Sequence, residues 1–373
     1  MKILITGANG FVGKNLVARL GEHKDAEVLP FTRESTAEQL REQVGAADFI
    51  FHLAGVNRPT DPSEFVTGNA ELTQTLCHLI AQSGRRIPVV YTSSIQAERD
   101  NPYGSSKRAA ETTLTALAQS QGGGVHIFRL PNVFGKWCRP NYNSAVATFC
   151  HNICRDLPIQ INDPSALLTL VYVDDVVDCF LRLLDGQGDT ELFPRVEPEY
   201  TTTVGALADL IRTFKDSRQT LVTERVGTGL VRALYATYVS YLPPASFSYV
   251  VPQYSDPRGV FVEMLKTPDC GQFSYFTARP SITRGGHYHH TKTEKFLVIK
   301  GAARFGFRHI VTNEYYAIET SGEKPEIVET VPGWAHDITN IGQEEMIVML
   351  WANEIFDREN PDTYARPVKH EKT

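Results

Sequence analysis

The sequence predicts an α/β chain in two parts, a doubly wound parallel sheet over residues 1–245 and an all-β barrel over 246–373. Three observations carry this. Up to about residue 185, short β-branched runs alternate with amphipathic helical stretches, the pattern of a parallel sheet covered by helices on both faces. Between Tyr241 and Pro252, Pro243, Pro244 and Pro252 stand among small polar residues and exclude continuous helix, as expected of an interdomain connection. Beyond it, strand-like runs are separated by Gly, Pro and Asn turns with little helical periodicity. A chain of 373 residues is long enough to bury two separate cores.

In the first part the expected strands are 2–6, 27–31, 48–53, 87–93 and 125–130. Between them, Val12, Leu16, Val17 and Leu20 mark the inner face of one helix, and Tyr103 to about Ala118 forms another. Residues 186–242 read as a smaller, mostly helical extension. In the second part the expected strands are 260–264, 273–277, 295–299, 303–308, 326–331 and 345–351.

Composition narrows the function. A net charge of −6 and a pI near 6.0 argue against nucleic acid or an anionic membrane as partner, so an anionic substrate needs a local basic pocket. No apolar run approaches the roughly 20 residues of a membrane span. The strand-like start Lys2–Thr6, without a charged region and apolar segment before a cleavage site, predicts a protein that is not secreted. Cys77, Cys138, Cys150, Cys154, Cys179 and Cys270 show no paired framework and read as reduced core thiols of a cytoplasmic protein.

Gly7, Gly10 and Gly13 follow a buried strand and open a helix whose first residues include Phe11 and Val12. That context lets backbone N–H groups and the helix N-terminus approach a pyrophosphate. After the second strand the usual ribose-binding acid is missing, and Arg33 stands near the place of a 2′-phosphate, which favours NADPH over NADH. Tyr103-x-x-x-Lys107 puts a phenol and an ammonium on one helix face, where the cation favours phenolate and tunes the tyrosine to donate a proton to a carbonyl. The hydroxyl that orients the carbonyl comes from Thr92, Ser93 or Ser94, and Ser94 is the first choice.

Thr6-Gly7-x-x-Gly10-x-x-Gly13, Asp48–Gly55, Arg129–Gly135 and Tyr172–Val176 resemble, in order, the segments of extended short-chain dehydrogenase/reductases. The resemblance implies a Rossmann-type sheet, with Leu53 and Ala54 beside the cofactor. It also implies a substrate contact from Asn132 and a fold-stabilising role for Asp174 or Asp175. Arg58, Lys136 and Arg139 are the candidates to hold a nucleotide diphosphate.

Near the other end, His287-x-His289-x4-Glu294 followed by His336 has the spacing of a divalent metal site on antiparallel strands, because residues two apart on a strand share a face. This ligand set suits zinc, iron and manganese alike. With Gly301 and Pro332–Asn340 the pattern resembles the cupins. Asp256–Glu263 and Arg284–His287 resemble instead the nucleotide-sugar 3,5-epimerases, in which the matching histidine is a base. His287 therefore has two assignments, metal ligand or base; His289 tilts the balance toward metal. Tyr315 and Tyr316 are candidate proton carriers.

A 4-keto sugar reconciles the two centres, since its ketone acidifies the C3 proton and is then removed by reduction. Ser94–Ala97, Asp100–Gly104 and Phe134–Ser144 extend the likeness, and nearly the whole chain resembles the CapF-type bifunctional capsular polysaccharide enzymes. That resemblance implies C3 epimerisation of a UDP-2-acetamido-2,6-dideoxy-4-ketohexose by the cupin domain. Reduction at C4 with NADPH would then give UDP-2-acetamido-2,6-dideoxy-L-talose, towards UDP-N-acetyl-L-fucosamine. It also implies zinc in the cupin and a homodimer. The alternatives are a single-step ketoreductase with a structural or sugar-binding cupin, and a non-catalytic NADPH-binding redox sensor, against which the intact Tyr103/Lys107 pair speaks.

Overall fold

The computed structural model describes residues 1–121, 123–188, 191–256, 259–262, 265, 267, 271–354 and 359–368. Arg258, Glu263 and Cys270 lie outside the described residues. The chain packs as two units, Met1–Ser144 with Leu168–Thr202, and Ala145–Leu167 with Thr203–Thr373.

The first unit runs β1 (Lys2–Thr6), α1 (Phe11–Leu20), β2 (Glu27–Phe31), α2 (Ala37–Ala46), β3 (Phe49–His52), α3 (Leu72–Ser83), β4 (Val89–Ser94), α4 (Pro102–Gln121), β5 (Val125–Leu130) and β6 (Asn132–Phe134). The chain then leaves for α5 (Ala145–Ile153) and returns as β7 (Leu167–Tyr172), α6 (Val173–Leu184) and β8 (Glu199–Thr203). Side chains alternate across a strand, so Ile3 and Ile5 pack with Leu16, Phe51, Val90, Phe128 and Phe180 on one face, while Leu4 joins Leu40, Ile50, Leu76, Tyr91 and Leu114 on the other. Burial on both faces is why these strands read as continuous apolar runs. The five central strands are parallel, in the order β2-β1-β3-β4-β5. The order reverses between β1 and β3, and in open α/β sheets ligands bind beyond the carboxyl ends of the strands at that point.

The second unit continues with α7 (Val204–Thr220), α8 (Gly229–Ser240), β9 (Ser248–Val250), β10 (Gln253–Asp256), β11 (Gly259–Val262), β12 (Gln272–Ala278), β13 (Thr283–Tyr288), β14 (Glu294–Lys300), β15 (Ala302–His309), β16 (Tyr315–Ser321), β17 (Glu326–Glu329), β18 (Trp334–Asn340), β19 (Met346–Ala352) and β20 (Tyr364–Ala365). Two five-stranded sheets, β12-β19-β14-β17-β9 and β16-β15-β18-β13-β20, are antiparallel at every recorded pairing. They meet face to face, with the Phe296 ring of one 5.6 Å from the Phe305 ring of the other.

Helical sequence does give way to strand near residue 245, but α7 and α8 pack with the strands that follow them. The reason is a buried polar knot: Glu329 on β17 accepts from Arg218 of α7 at 2.8 Å, from Tyr235 of α8 at 3.3 Å, and from Lys295 of β14. Among the described residues no helix is long and apolar enough to cross a membrane. None of the five described cysteines forms a disulfide.

Candidate functional site

The turn after β1 is shaped by its glycines. Gly7 has φ +72°, and a β-carbon there would lie 2.8 Å from the Ala54 backbone beyond β3; one on Gly13 would lie 2.2 Å from the Gly7 carbonyl oxygen. Only glycine allows loop, helix and neighbouring strand end to close this far. The α1 N-terminus carries neither a side-chain cap nor an acidic residue in its first turn, so the N–H groups of Phe11, Val12 and Gly13 and the helix dipole remain for an anion. Leu53 and Ala54 donate to the Thr6 carbonyl and hydroxyl at 3.1 and 3.2 Å, fixing the far wall. Arg33 is exposed two residues past β2. Together these groups fit a dinucleotide with its pyrophosphate on α1.

Tyr103 and Lys107 stand one turn apart at the start of α4, beside the end of β4. The buried Lys107 Nζ donates to the Thr92 carbonyl at 2.9 Å and lies 6.0 Å from the Tyr103 ring and 4.9 Å from the Tyr91 ring. Burial pushes the Lys107 ammonium down to about 8, although the Glu111 carboxylate pulls the other way. Burial pushes the Tyr103 phenol up, and a hydrogen bond with Ser94 draws it back. Among the three hydroxyl candidates, Ser94 is the one whose side chain is near enough to the Tyr103 phenol to draw it down, whereas Ser93 is committed to Glu111 at 2.5 Å.

The diphosphate candidates divide. Arg58 bonds Asn143 at 3.1 Å, Arg139 stacks 5.0 Å from the Tyr142 ring, and Tyr142 bonds Asn57 at 2.9 Å, so Arg58 and Arg139 converge on one exposed loop. Lys136 does not join them. Its side chain is fully buried and its Nζ pairs with Asp174 at 2.6 Å, which makes it a strut between β6 and α6 rather than an anion ligand. Asp174 thereby has the stabilising place expected of it. Asn132 is exposed at the start of β6, but its amide donates to the Thr169 carbonyl at 3.0 Å.

In the second unit, His287, His289, Glu294 and His336 come together with one ligand atom from each within 4.8 Å of the others. His287 and His336 are cross-strand partners on β13 and β18, Glu294 opens β14 in the facing sheet, and His289 lies just past β13. The strand expected to carry both His287 and His289 thus ends at Tyr288, and a bulge between Gly285 and His287 turns the pair inward. Glu294 Oε2 is 3.2 Å from His289 Nε2 and 3.5 Å from His336 Nε2, and the buried His336 Nε2 has no hydrogen bond of good geometry. Burial, then His336 and His289, push the His287 imidazole down to about 3. Burial would raise the Glu294 carboxyl, but His289 and His336 hold it well below the usual range. Three imidazoles around one carboxylate are the donor set of a divalent metal.

The cluster is braced from far along the chain. Asp362 accepts from the His289 Nδ1–H at 2.6 Å through its backbone carbonyl, which leaves Nε2 for a metal. Its carboxylate accepts the N–H groups of His290, Thr291 and Lys292 at 2.9, 2.8 and 2.7 Å. No local pattern points to Asp362, 73 residues from His289. Glu111, which lies four residues after Lys107 on the same helix, could have been found by its spacing. Tyr315 and Tyr316 begin β16, and Tyr316 packs edge-on to Phe247.

Residues 3–193 match the NAD dependent epimerase/dehydratase family, and residues 254–364 match the polysaccharide biosynthesis C-terminal domain. The chain is 65% identical over 365 residues to a UDP-2-acetamido-2,6-β-L-arabino-hexul-4-ose reductase of Pseudomonas aeruginosa, covering 98% of each. Among solved structures it is similar to the capsular polysaccharide assembling protein CapF of Staphylococcus aureus, with 43% identity and a TM-score of 0.69 over 99% of this chain and 100% of that one. A more distant relative, a UDP-glucuronic acid decarboxylase of Arabidopsis thaliana, is 25% identical over 228 residues, 50% of this chain and 67% of that protein.

Proposed function

Since the chain belongs to the NAD dependent epimerase/dehydratase family, we propose that it is an NADPH-dependent nucleotide-sugar 4-ketoreductase acting on a UDP-2-acetamido-2,6-dideoxy-4-ketohexose. The observation that carries this reading is the end of β4 and start of α4, where a phenol, an ammonium and a hydroxyl stand side by side near a turn shaped for a dinucleotide. The 65% identity to the Pseudomonas aeruginosa reductase supports the substrate class.

The nicotinamide, when bound, supplies a hydride to C4. Tyr103 gives its phenolic proton to the ketone oxygen, so the carbonyl becomes an alcohol and the phenol a phenolate. Lys107 stabilises that phenolate and Ser94 orients the oxygen. Arg33 holds the 2′-phosphate, and Arg58 and Arg139 hold the UDP diphosphate. The protein works in the cytoplasm as a homodimer, with UDP-2-acetamido-2,6-dideoxy-L-talose as product.

The β-rich unit is a cupin barrel in which His287, His289, Glu294 and His336 hold a divalent metal, for which zinc is the proposal. There the C3 proton, acidified by the ketone, is removed and returned on the other face. Epimerisation needs the ketone, so it precedes reduction. The second reading, a single-step reductase whose metal is structural, is favoured by the burial of His289, Glu294 and His336.

The test is deuterium uptake from heavy water into the 4-keto sugar without NADPH, read by mass spectrometry, with Tyr103→Phe alongside. Label at C3 from wild type supports a separate epimerase, and background label leaves the single-step reductase. Loss of reduction in Tyr103→Phe, on the order of 10²- to 10⁴-fold, supports the ketoreductase, and retention of wild-type reduction refutes it.

A further inference from the structure

Helix α4 carries Tyr103, Lys107 and Glu111 at successive steps of four residues, which places them in a stripe on one face. The last three residues of β4 meet that stripe one for one. Ser94 stands beside Tyr103, the Thr92 carbonyl accepts from Lys107 at 2.9 Å, and the Ser93 hydroxyl donates to Glu111 at 2.5 Å. Glu111 is only 4% exposed, and its two oxygens receive Arg129 of β5 in three contacts of 2.7 to 3.3 Å. Arg129 is held in turn by Glu98 at 2.9 Å. A buried, hydrogen-bonded carboxylate beside the reacting groups, with no part in proton or hydride transfer, calls for another use.

We infer that Glu111, clamped by Arg129, is a positioning residue of the reductase site: it fixes the end of β4 against α4 so that Ser94 faces Tyr103, and it serves as counter-charge to Lys107. The inference rests on the ketoreductase reading. The polar neighbours of Lys107 can be named element by element. Tyr103 and Glu111 come from α4, Tyr91 and the Thr92 carbonyl from β4, and His52 from β3. Burial keeps His52 neutral, with its imidazole pushed down to about 3. Glu111 therefore supplies the negative charge that opposes the desolvation of Lys107. Burial already brings that ammonium down to about 8, so without Glu111 it loses its proton at a lower pH, inside the neutral range. The phenolate left after proton donation then lacks its cation.

The experiment compares kcat, KM and their pH profiles for wild type, Glu111→Gln, Glu111→Asp, Ser93→Ala and Tyr103→Phe. NADPH binding, followed by fluorescence, verifies that each variant is folded. The expected result is that Glu111→Gln moves the basic limb of the kcat profile acidward by about 1 pH unit, which lowers kcat roughly tenfold on the basic side with KM little changed. Glu111→Asp restores the limb because it restores the charge. Ser93→Ala, which keeps the charge but frees the strand end, lowers kcat and leaves the limb in place. A Glu111→Gln enzyme with the wild-type limb and kcat overturns the inference, even if it melts earlier. If Glu111→Gln does not fold, wild-type kcat in Ser93→Ala overturns it. Wild-type reduction by Tyr103→Phe overturns the underlying reading instead, so the two failures are distinct.

Discussion

Replacing Gly13 with alanine tests whether α1 is a cofactor cradle or an ordinary strand-to-helix turn. The added β-carbon would stand 2.2 Å from the Gly7 carbonyl oxygen and 2.8 Å from that of Ala8, where ordinary contact begins at 3.4 Å. Both obstacles are backbone, so no rotamer relieves them, and the first turn of α1 must retreat by about 1.2 Å. Overpacking of this kind costs roughly 1–3 kcal/mol. The displaced turn bears the N–H groups of Phe11, Val12 and Gly13 that would face the pyrophosphate, so the cost falls on cofactor affinity. At about 1.4 kcal/mol per tenfold, NADPH binds roughly 5- to 140-fold more weakly. Fluorescence titration of NADPH measures this, with Gly45→Ala as control, because a β-carbon at Gly45 meets nothing within 4 Å. Gly13→Ala with wild-type affinity, or equal weakening by Gly45→Ala, refutes the reasoning.

Three further outcomes are expected. His52, bonded to Thr6 and Thr73 at 2.7 and 2.8 Å, is held neutral by burial, with its imidazole pushed down to about 3. The unfolded chain takes up a proton below about 6.5 that the folded chain refuses, so stability falls as pH drops from there towards about 3. In denaturant melts across that window His52→Gln flattens the slope, while losing about 1–3 kcal/mol at neutral pH with its two hydrogen bonds; an unchanged slope contradicts the assignment. Glu329→Gln leaves the buried Lys295 and half-buried Arg218 cations without their carboxylate and destabilises the second unit by about 3–5 kcal/mol, read by fluorescence of Trp334 and Trp351 in urea. A loss under about 1 kcal/mol would mean the knot is water-accessible. Asp362→Ala, which unties the loop carrying His289, weakens retention of zinc, the probe for the proposed metal site, about 10- to 100-fold against a chromogenic chelator, and retention equal to wild type dismisses the bracing role.

The parallel sheet was legible because burial on both faces writes itself as unbroken apolar runs. Strands 2–6 and 125–130 show this and are observed at the residues expected, as is 27–31, although that edge strand is only half-buried. The antiparallel half was less so, for a reason tied to its chemistry. β18, Trp-Ala-His-Asp-Ile-Thr-Asn, points His336 inward where a core strand would place an apolar residue. β13 carries Gly285 and Gly286 at φ +95° and +80°, a backbone that reads as turn. β13 and β18, neither of them among the strand-like runs expected from the sequence, carry His287 and His336; β16, also outside those runs, carries no histidine.

The candidate sites divide along the same line. Spacing finds residues that share an element, such as the Gly7–Gly13 turn and the Tyr103/Lys107 pair; the histidine cluster draws on β13, β14 and β18, and its candidates come from a spacing that runs across strands. Spacing cannot tell a reachable cation from a buried strut: Lys136 looked like an anion ligand because its partner Asp174 lies 38 residues away on another element. Nor can it settle His287, since both its assignments need a neutral imidazole on the same strand face. An imidazole bound to a metal has lost the basicity that removal of a C3 proton requires, so the two roles exclude each other at one nitrogen. The structure supplies a physical difference among the four: His289, Glu294 and His336 are buried, whereas His287 is half-buried. His287 is therefore, of the four, the side chain a substrate could reach, and the one on which the proposed choice between a structural and a catalytic metal turns.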